Sequence, residues 1–203
     1  MTEQEQFIEQ IGPMIRSIAF AKGYKYPSAI IAQACLESNY GRSLLSKDYN
    51  NFFGLKAGAY WDGMVANMKT KEEYTPGVLT DITASFRAYA NMTEGINGYF
   101  DFIKKPRYAN LLEATSAEDY LVKIKCDGYA TSNHYVNNNM AVIMKYGLYK
   151  YDWNSDPVLD KAIETIALYV INKHFGNGHD LRKNMIYDMI RAKVNELSKE
   201  AQS

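Results

Sequence analysis

Apolar side chains recur at three- and four-residue intervals over most of this 203-residue chain, the spacing of one buried helical face. Phe7, Ile11, Ile15 and Ile18 fall roughly on one stripe, which predicts a helix over about 7–22. Pro27-Ser28 opens a second helical segment, about 29–40, and Gly41 stands where it can stop. The stretch from Asn50 to Asp62 shifts to Asn, Gly and aromatic residues and reads as a structured loop. Residues 82–89 alternate in the strand manner, and Thr75-Pro76-Gly77 supplies a turn. One β-hairpin is expected, about 64–74 paired with 78–90. Helical periodicity returns at Thr93, positioned to cap Ile96, Tyr99, Phe100 and Ile103. Ser116 opens another helix with Asp119 in the capping-box position, and Asp127-Gly128 ends it. A further helix covers about 134–146, stopped by Gly147.

The polar, proline-punctuated run from Tyr151 to Pro157 is the best boundary in the chain. Beyond it lie two helical patterns, about 158–174 and 179–198, separated by Gly176-Asn177-Gly178. This divides the chain into residues 1–153 and a tail of 154–203. About 50 residues is small for an independent core, so the tail is either a compact helical module or a cap on the first domain.

Charge excludes one class of partner. Lys+Arg and Asp+Glu are 23 each, and each part is neutral by itself, with 16 basic and 16 acidic residues in 1–153 and 7 of each in 154–203. A neutral surface does not hold nucleic acid or anionic membrane by bulk Coulomb attraction. No apolar run approaches the roughly 20 residues of a membrane span, so no membrane insertion is expected. The N-terminal MTEQEQFIEQ lacks a basic-then-apolar signal segment, which points to a chain kept in the cytosol or exported without such a signal. Cys35 and Cys126 match no metal spacing, and His134, His174 and His179 are scattered. No metal or other cofactor is expected, and both thiols read as buried and free. Tyrosine is over-supplied at 17, and 15 of these precede residue 154. A phenol offers a flat apolar face with a polar tip, which suits either extra packing or a surface that meets hydroxylated ligands.

Glu37 is the first candidate for chemistry. It lies seven residues after Ile30 and three after Ala34, at the edge of an apolar face and in the last turn of its helix. Desolvation and the negative end of the helix dipole both raise a carboxyl pKa there, and a carboxylic acid kept protonated is what a general acid needs. Position alone favours the plainer reading, a flank residue reaching water. The following loop, Asn50-Asn51-Phe52-Phe53-Gly54-Leu55-Lys56, changes the balance by setting amides, rings and a glycine beside that helix end. Rings stack on pyranose faces, and amides bond hydroxyls and acetamides. Glu72-Glu73 before the hairpin turn brings a second acidic pair. Neighbouring strand residues point to opposite faces, so only one of the two can face Glu37; a solvated charged tip is the alternative.

These pieces together resemble glycoside hydrolase family 73, the bacterial and phage β-N-acetylglucosaminidases that cut peptidoglycan. The resemblance runs in order from Ala32–Gly41 through Asn51–Lys56, Glu73–Gly77 and Ala84–Tyr89 to Gly128–Thr131, Tyr135 and Lys145–Tyr149. It implies a mainly α (α+β) lysozyme-like fold, with an α-lobe, a small β-hairpin lobe and a groove between them. By the same resemblance Glu37 is the general acid and Glu73 the second carboxylate, with Glu72 as competitor. Asn51, Phe52, Gly54, Tyr129 and Tyr135 are then substrate-binding positions. The family often reads Ala-Thr-Asp-Pro where this chain has Ala130-Thr131-Ser132-Asn133-His134, a departure that bears on the shape of that loop rather than on the chemistry.

The tail is similar to the short three-helix cell-wall-binding repeats of some phage lysozymes, on Phe175-Gly176-Asn177-Gly178, Asp180, Arg182 and Val194–Leu197. That resemblance implies a wall-binding module through Gly176, Asn177, Gly178 and Arg182; a plain helix–helix turn is the other reading. The whole chain then reads as an endolysin-like peptidoglycan hydrolase, its partner the glycan strands, cytoplasmic until release at lysis. A muramidase or lytic transglycosylase on the same fold, and a non-catalytic wall-binding or virion structural protein, are the alternatives. Oligomeric state is left open.

Overall fold

The computed structural model describes residues 1–75 and 78–152, the side chains of 70–82 apart, together with five single positions at 165, 166, 169, 173 and 190. Helix α1 is Glu3–Ala21, α2 Pro27–Glu37 and α3 Leu44–Tyr49. Strands β1 (Val65–Thr75) and β2 (Val78–Arg87) come next, then α4 Met92–Ile103, a 3₁₀ segment Pro106–Glu113, α5 Ala117–Cys126, α6 Tyr135–Tyr146 and a last 3₁₀ turn Leu148–Tyr151. The described residues are thus mainly helical with one antiparallel hairpin, the fold class the sequence predicts. The short α3 and both 3₁₀ segments are additions that periodicity over so few residues does not reveal. The tail calls at Gly176, Asn177, Gly178 and Arg182 lie outside the described residues.

The chain divides into two compact units: Met1–Met14 with Gln33–Lys105, and Ile15–Ala32 with the chain from Pro106 onward. In the first unit, Phe7, Ile8 and Ile11 of α1 are buried, as are Phe52, Phe53 and Leu55 of the loop and Ile96, Tyr99, Phe100 and Ile103 of α4. Phe53 stacks on Tyr99 with ring centroids 4.2 Å apart, and Phe7 meets Phe52 at 6.0 Å. The Tyr99 hydroxyl donates to Gln33 Oε1 at 2.9 Å, so the phenol tip is satisfied inside the core. Helix α4 lies directly on the loop: a Cβ at Gly95 would stand 1.9 Å from the Asn50 carbonyl oxygen, so only glycine fits. Its cap is Asn91 rather than Thr93. The Asn91 side chain accepts from the Glu94 amide, and Glu94 Oε2 accepts from the Ala90 amide, a reciprocal arrangement of the capping-box kind.

In the second unit the core is built from Ile15, Ala19, Tyr24 and the first turns of α2, with Tyr108, Leu111, Tyr120, Leu121, Ile124, Met140 and Ile143. Ser116 caps α5 as expected, accepting from the Asp119 amide at 3.0 Å. Gly147 ends α6 at φ 58°, a left-handed cap that glycine adopts without strain. The first turn of α2 is held by Asp152. Its Oδ1 accepts from the Ser28 amide at 2.8 Å and its Oδ2 from the Ser28 hydroxyl at 2.7 Å, both residues buried. Eight of the 17 tyrosines serve packing, since Tyr24, Tyr89, Tyr99, Tyr108, Tyr120, Tyr135, Tyr149 and Tyr151 are all buried.

One expectation about the cysteines is corrected. Cys35 is buried and its thiol pKa is pushed up to about 12 by desolvation, but Cys126, at the end of α5, is exposed. A helix-end position beside a glycine turn gives no apolar cover, which cysteine's average burial does not foresee.

Candidate active site

Helix α2 ends at Glu37, three residues short of the sequence expectation. The cause is a tight turn at residues 38–41. Asn39, Tyr40 and Gly41 are all left-handed, at φ 51°, 55° and 72°, a costly run for two side-chain-bearing residues. Ser38 holds it. Its buried hydroxyl donates to the Ala34 carbonyl at 2.6 Å and accepts from the Gly41 amide at 2.7 Å. At Gly41 a Cβ would meet the Phe7 ring at 2.6 Å, so the turn is pressed onto the core. One sign of this lock is visible in the sequence, the Ser-Asn-Tyr-Gly string, which by itself indicates only a helix stop.

Glu37 is thereby fixed at the helix end. It is solvent-accessible, yet crowded by protein, and this desolvation pushes its pKa upward. Accessibility and crowding together describe a carboxyl that a ligand can reach and whose charged form is disfavoured. Among the described residues its carboxylate has no hydrogen-bond or ion-pair partner.

The loop after α3 is brought to this carboxylate. Asn50 ends α3 in a left-handed cap, and its side-chain amide donates to the Tyr89 carbonyl at 3.0 Å. Asn51 ties the loop to itself: Nδ2 donates to the carbonyls of Leu55 (2.9 Å) and Arg87 (2.8 Å), while Oδ1 accepts from the Leu55 amide (3.0 Å). These bonds close a tight loop whose Gly54, at φ 62°, faces the acid. A Cβ there would lie 3.4 Å from Glu37 Oε2. Of the loop positions expected to bind substrate, Gly54 is therefore at the carboxylate. Asn51 and Phe52 are instead interior, 1% and 3% exposed. Asn51 spends both amide hydrogens on backbone carbonyls, and Phe52 packs on Phe7, so their part is to shape the loop.

The hairpin continues from this loop. Lys56 bridges to Phe86, and the Ala57 amide donates to the Ser85 carbonyl at 2.8 Å. Val65 pairs with Arg87 at the base, Glu72 with Thr80 and Glu73 with Leu79, with a register irregularity between Glu73 and Thr75. The side chains of Glu72 and Glu73 lie outside the described part of the structure. Tyr129 and Tyr135 belong to the other unit, where their rings meet at 6.2 Å, tilted by 48°. Tyr135 is buried and Tyr129 half-buried. His134, in the departing segment before α6, makes no side-chain cap. Among the described residues no group of three or more His, Cys, Asp or Glu is placed to hold a metal ion, and no helix is long and apolar enough to cross a membrane.

Sequence reading overlooked Arg87 and Trp61. The Arg87 guanidinium lies over the Trp61 ring at 4.5 Å and the Phe102 ring at 5.6 Å. The first stood within the alternation of residues 82–89 and the Ala84–Tyr89 stretch of the resemblance with no role assigned to it, and nothing singled out the second.

The chain is 33% identical over 156 residues to the exo-glucosaminidase LytG of Bacillus subtilis, covering 74% of this chain and 54% of that protein. It is 35% identical over 156 residues to a probable N-acetylmuramidase of Lactococcus lactis, covering 73% of this chain and 35% of the relative. It thus spans about half, or less, of the length of these relatives. The crystallised catalytic domain of the Listeria monocytogenes autolysin Auto superposes with a TM-score of 0.66 at 31% identity, over 75% of this chain and 89% of that domain. Residues 14–148 match the Glucosaminidase family, described as mannosyl-glycoprotein endo-beta-N-acetylglucosaminidase, and the chain therefore belongs to the glucosaminidases of glycoside hydrolase family 73, with their lysozyme-like fold.

Proposed function

We propose that this protein hydrolyses the β-1,4 bond on the reducing side of GlcNAc in peptidoglycan glycan strands, as an endo-β-N-acetylglucosaminidase. The observation that carries the reading is Glu37, a desolvated carboxyl without a partner among the described residues, held at a helix end with the Gly54 backbone against it. A carboxyl of raised pKa, open on one side, is built to give up a proton to a leaving oxygen. Glu37 donates to the glycosidic oxygen. Glu73 on the hairpin then activates a water from the opposite face, or the 2-acetamido oxygen of the substrate attacks the anomeric carbon and water opens the resulting ring. The separation of two carboxyls normally distinguishes such routes, and Glu73→Gln separates them here by activity.

Recognition rests on stacking and hydrogen bonding rather than net charge, with the half-buried Tyr129 as the ring position and the buried Tyr135 packed beside it. Residues 1–153 form the glucosaminidase domain, and 154–203 a wall-binding module acting through Gly176, Asn177, Gly178 and Arg182. Tethering such a module raises the local substrate concentration even when its own affinity is weak. The cellular role that suits this pairing is that of an endolysin, cytosolic until lysis.

The test is the chemistry of the ends released from purified sacculi and reduced with borohydride. Reduced GlcNAc ends, absent with Glu37→Gln, are expected. Reduced MurNAc ends would instead support a muramidase, the reading favoured by the likeness to the L. lactis protein. Binding of sacculi without release of reducing sugar would leave a wall-binding protein only.

A further inference from the structure

Arg87 closes the hairpin at its base, and its surroundings are more elaborate than a strand end requires. Its backbone amide donates to the Leu55 carbonyl at 2.9 Å, and its carbonyl accepts from Asn51 Nδ2 at 2.8 Å. Any residue provides those two groups. The side chain adds what only arginine can. The guanidinium stacks over Trp61 and lies over Phe102 of α4, while Nε donates to the Lys56 carbonyl at 3.3 Å. Trp61 is itself fastened: its indole N–H donates to the Met64 carbonyl at 2.9 Å, and its ring meets Tyr89 edge-on at 5.7 Å. The guanidinium also approaches the Tyr89 hydroxyl, which is buried without a well-formed hydrogen bond. Four segments meet at this one cation: the loop 51–56, the Trp61 turn, the hairpin base and α4.

A lone two-stranded hairpin is marginal in water, so its direction must be set where it joins the rest of the unit. The lever is long. Ten residues at about 3.3 Å each give roughly 33 Å from base to tip, so a rotation of about 5° at the base moves the tip by about 3 Å. The same base holds the Asn51–Leu55 loop, which sets Gly54 against Glu37.

We infer that Arg87 is a positioning residue: by clamping Trp61, Phe102 and the Lys56 carbonyl, it fixes the hairpin and the Gly54 loop relative to the catalytic acid. The inference rests on Glu37 being that acid. Lysine does not replace it, because an ammonium is a point charge that cannot stack flat on indole while donating sideways to a carbonyl.

The experiment pairs amide hydrogen exchange with hydrolysis rates in the full chain, for wild type, Arg87→Ala, Arg87→Lys and Trp61→Leu. Arg87→Ala and Trp61→Leu are expected to speed exchange in peptides spanning 56–68 and 82–90 by about tenfold or more, while peptides of α2 and α4 keep their wild-type rates. Hydrolysis should fall by about 10–100-fold in parallel, the scale of a displaced catalytic group, with Arg87→Lys nearer to alanine than to wild type. A loosened hairpin with intact hydrolysis would overturn the inference. So would lost hydrolysis with unchanged exchange, which would make Arg87 a direct substrate contact. Loosening of the whole unit, α4 included, would reduce it to a stability residue, and Trp61→Leu checks this without touching the cation. An active Glu37→Gln would defeat the assignment of the acid while leaving the exchange pattern to stand or fall by itself.

Discussion

The two ends of α2 each present a carboxylate, and the two are treated in opposite ways. At the N-terminal end, Asp152 is buried and its two oxygens each accept a hydrogen bond from Ser28. The positive end of a helix dipole favours an anion there. At the C-terminal end, Glu37 is accessible, has no hydrogen-bond or ion-pair partner among the described residues, and sits where desolvation raises its pKa. The dipole acts in the same direction. One helix thus separates a carboxylate that stabilises from one that is kept ready to hold a proton. The lesson is that the saturated carboxylate belongs to the scaffold, and the unsupported one to the chemistry.

The largest effect that could break this contrast is on rate. Glu37→Gln keeps the shape of the side chain and removes the transferable proton. Hydrolysis of sacculi should drop by about 10²–10⁴-fold, the usual contribution of a general acid, with melting temperature at pH 7 no lower than wild type. Asp152→Ala should show the converse. It leaves the Ser28 amide and hydroxyl buried without acceptors and is expected to cost about 2–4 kcal/mol of stability, with the rate per folded molecule retained. Thermal melts alongside active-site-normalised assays read both. A slow but fully stable Asp152→Ala would mean that the clamp tunes chemistry, and the separation of roles along α2 would fail.

Much of this was legible in the sequence, and the exceptions have physical causes. Glu37 at the edge of an apolar face, the hairpin, and the caps Ser116 and Gly147 all follow from local rules that act within one turn or one strand pair. The inward role of Asn51 did not follow, because its carbonyl partners Leu55 and Arg87 come from a loop closure and from a strand 36 residues away. The same holds for Asp152, whose partner Ser28 is 124 positions distant. Thr93 was the wrong cap by two residues because Asn91 makes the same bond with a Glu three positions on, and spacing alone does not choose between two capable side chains. The tyrosine excess was open to two readings by composition, and eight of the 17 proved to be core, since a phenol with a buried acceptor such as Gln33 loses little by going inside.

A smaller change sharpens the picture at the acid end. Gly54→Ala would place a methyl 3.4 Å from Glu37 Oε2 and force an L-residue to φ 62°. The backbone strain should cost about 1 kcal/mol. The methyl also takes space beside the carboxyl and removes hydration from it, so the rate should fall by about tenfold and the alkaline limb of the pH–rate profile should move upward. If the rate falls with that limb unmoved, Gly54 serves only as room for substrate.

The smallest expected effect reads the state of the acid without any substrate. A carboxyl whose pKa is higher folded than unfolded contributes stability that is present below the unfolded value, about 4.3, and lost as pH rises through the folded value. Glutamine does not titrate. The melting temperature of Glu37→Gln relative to wild type should therefore be nearly constant below about pH 4, rise in favour of the variant above it, and level off once wild-type Glu37 is ionised. Salt should change this little, because the cause is lost hydration rather than a neighbouring charge. A difference that runs the other way, with the variant losing ground as pH rises, would mean that the ionised carboxylate is supported in the folded protein. Glu37 would then resemble Asp152, and the two ends of α2 would no longer differ in kind.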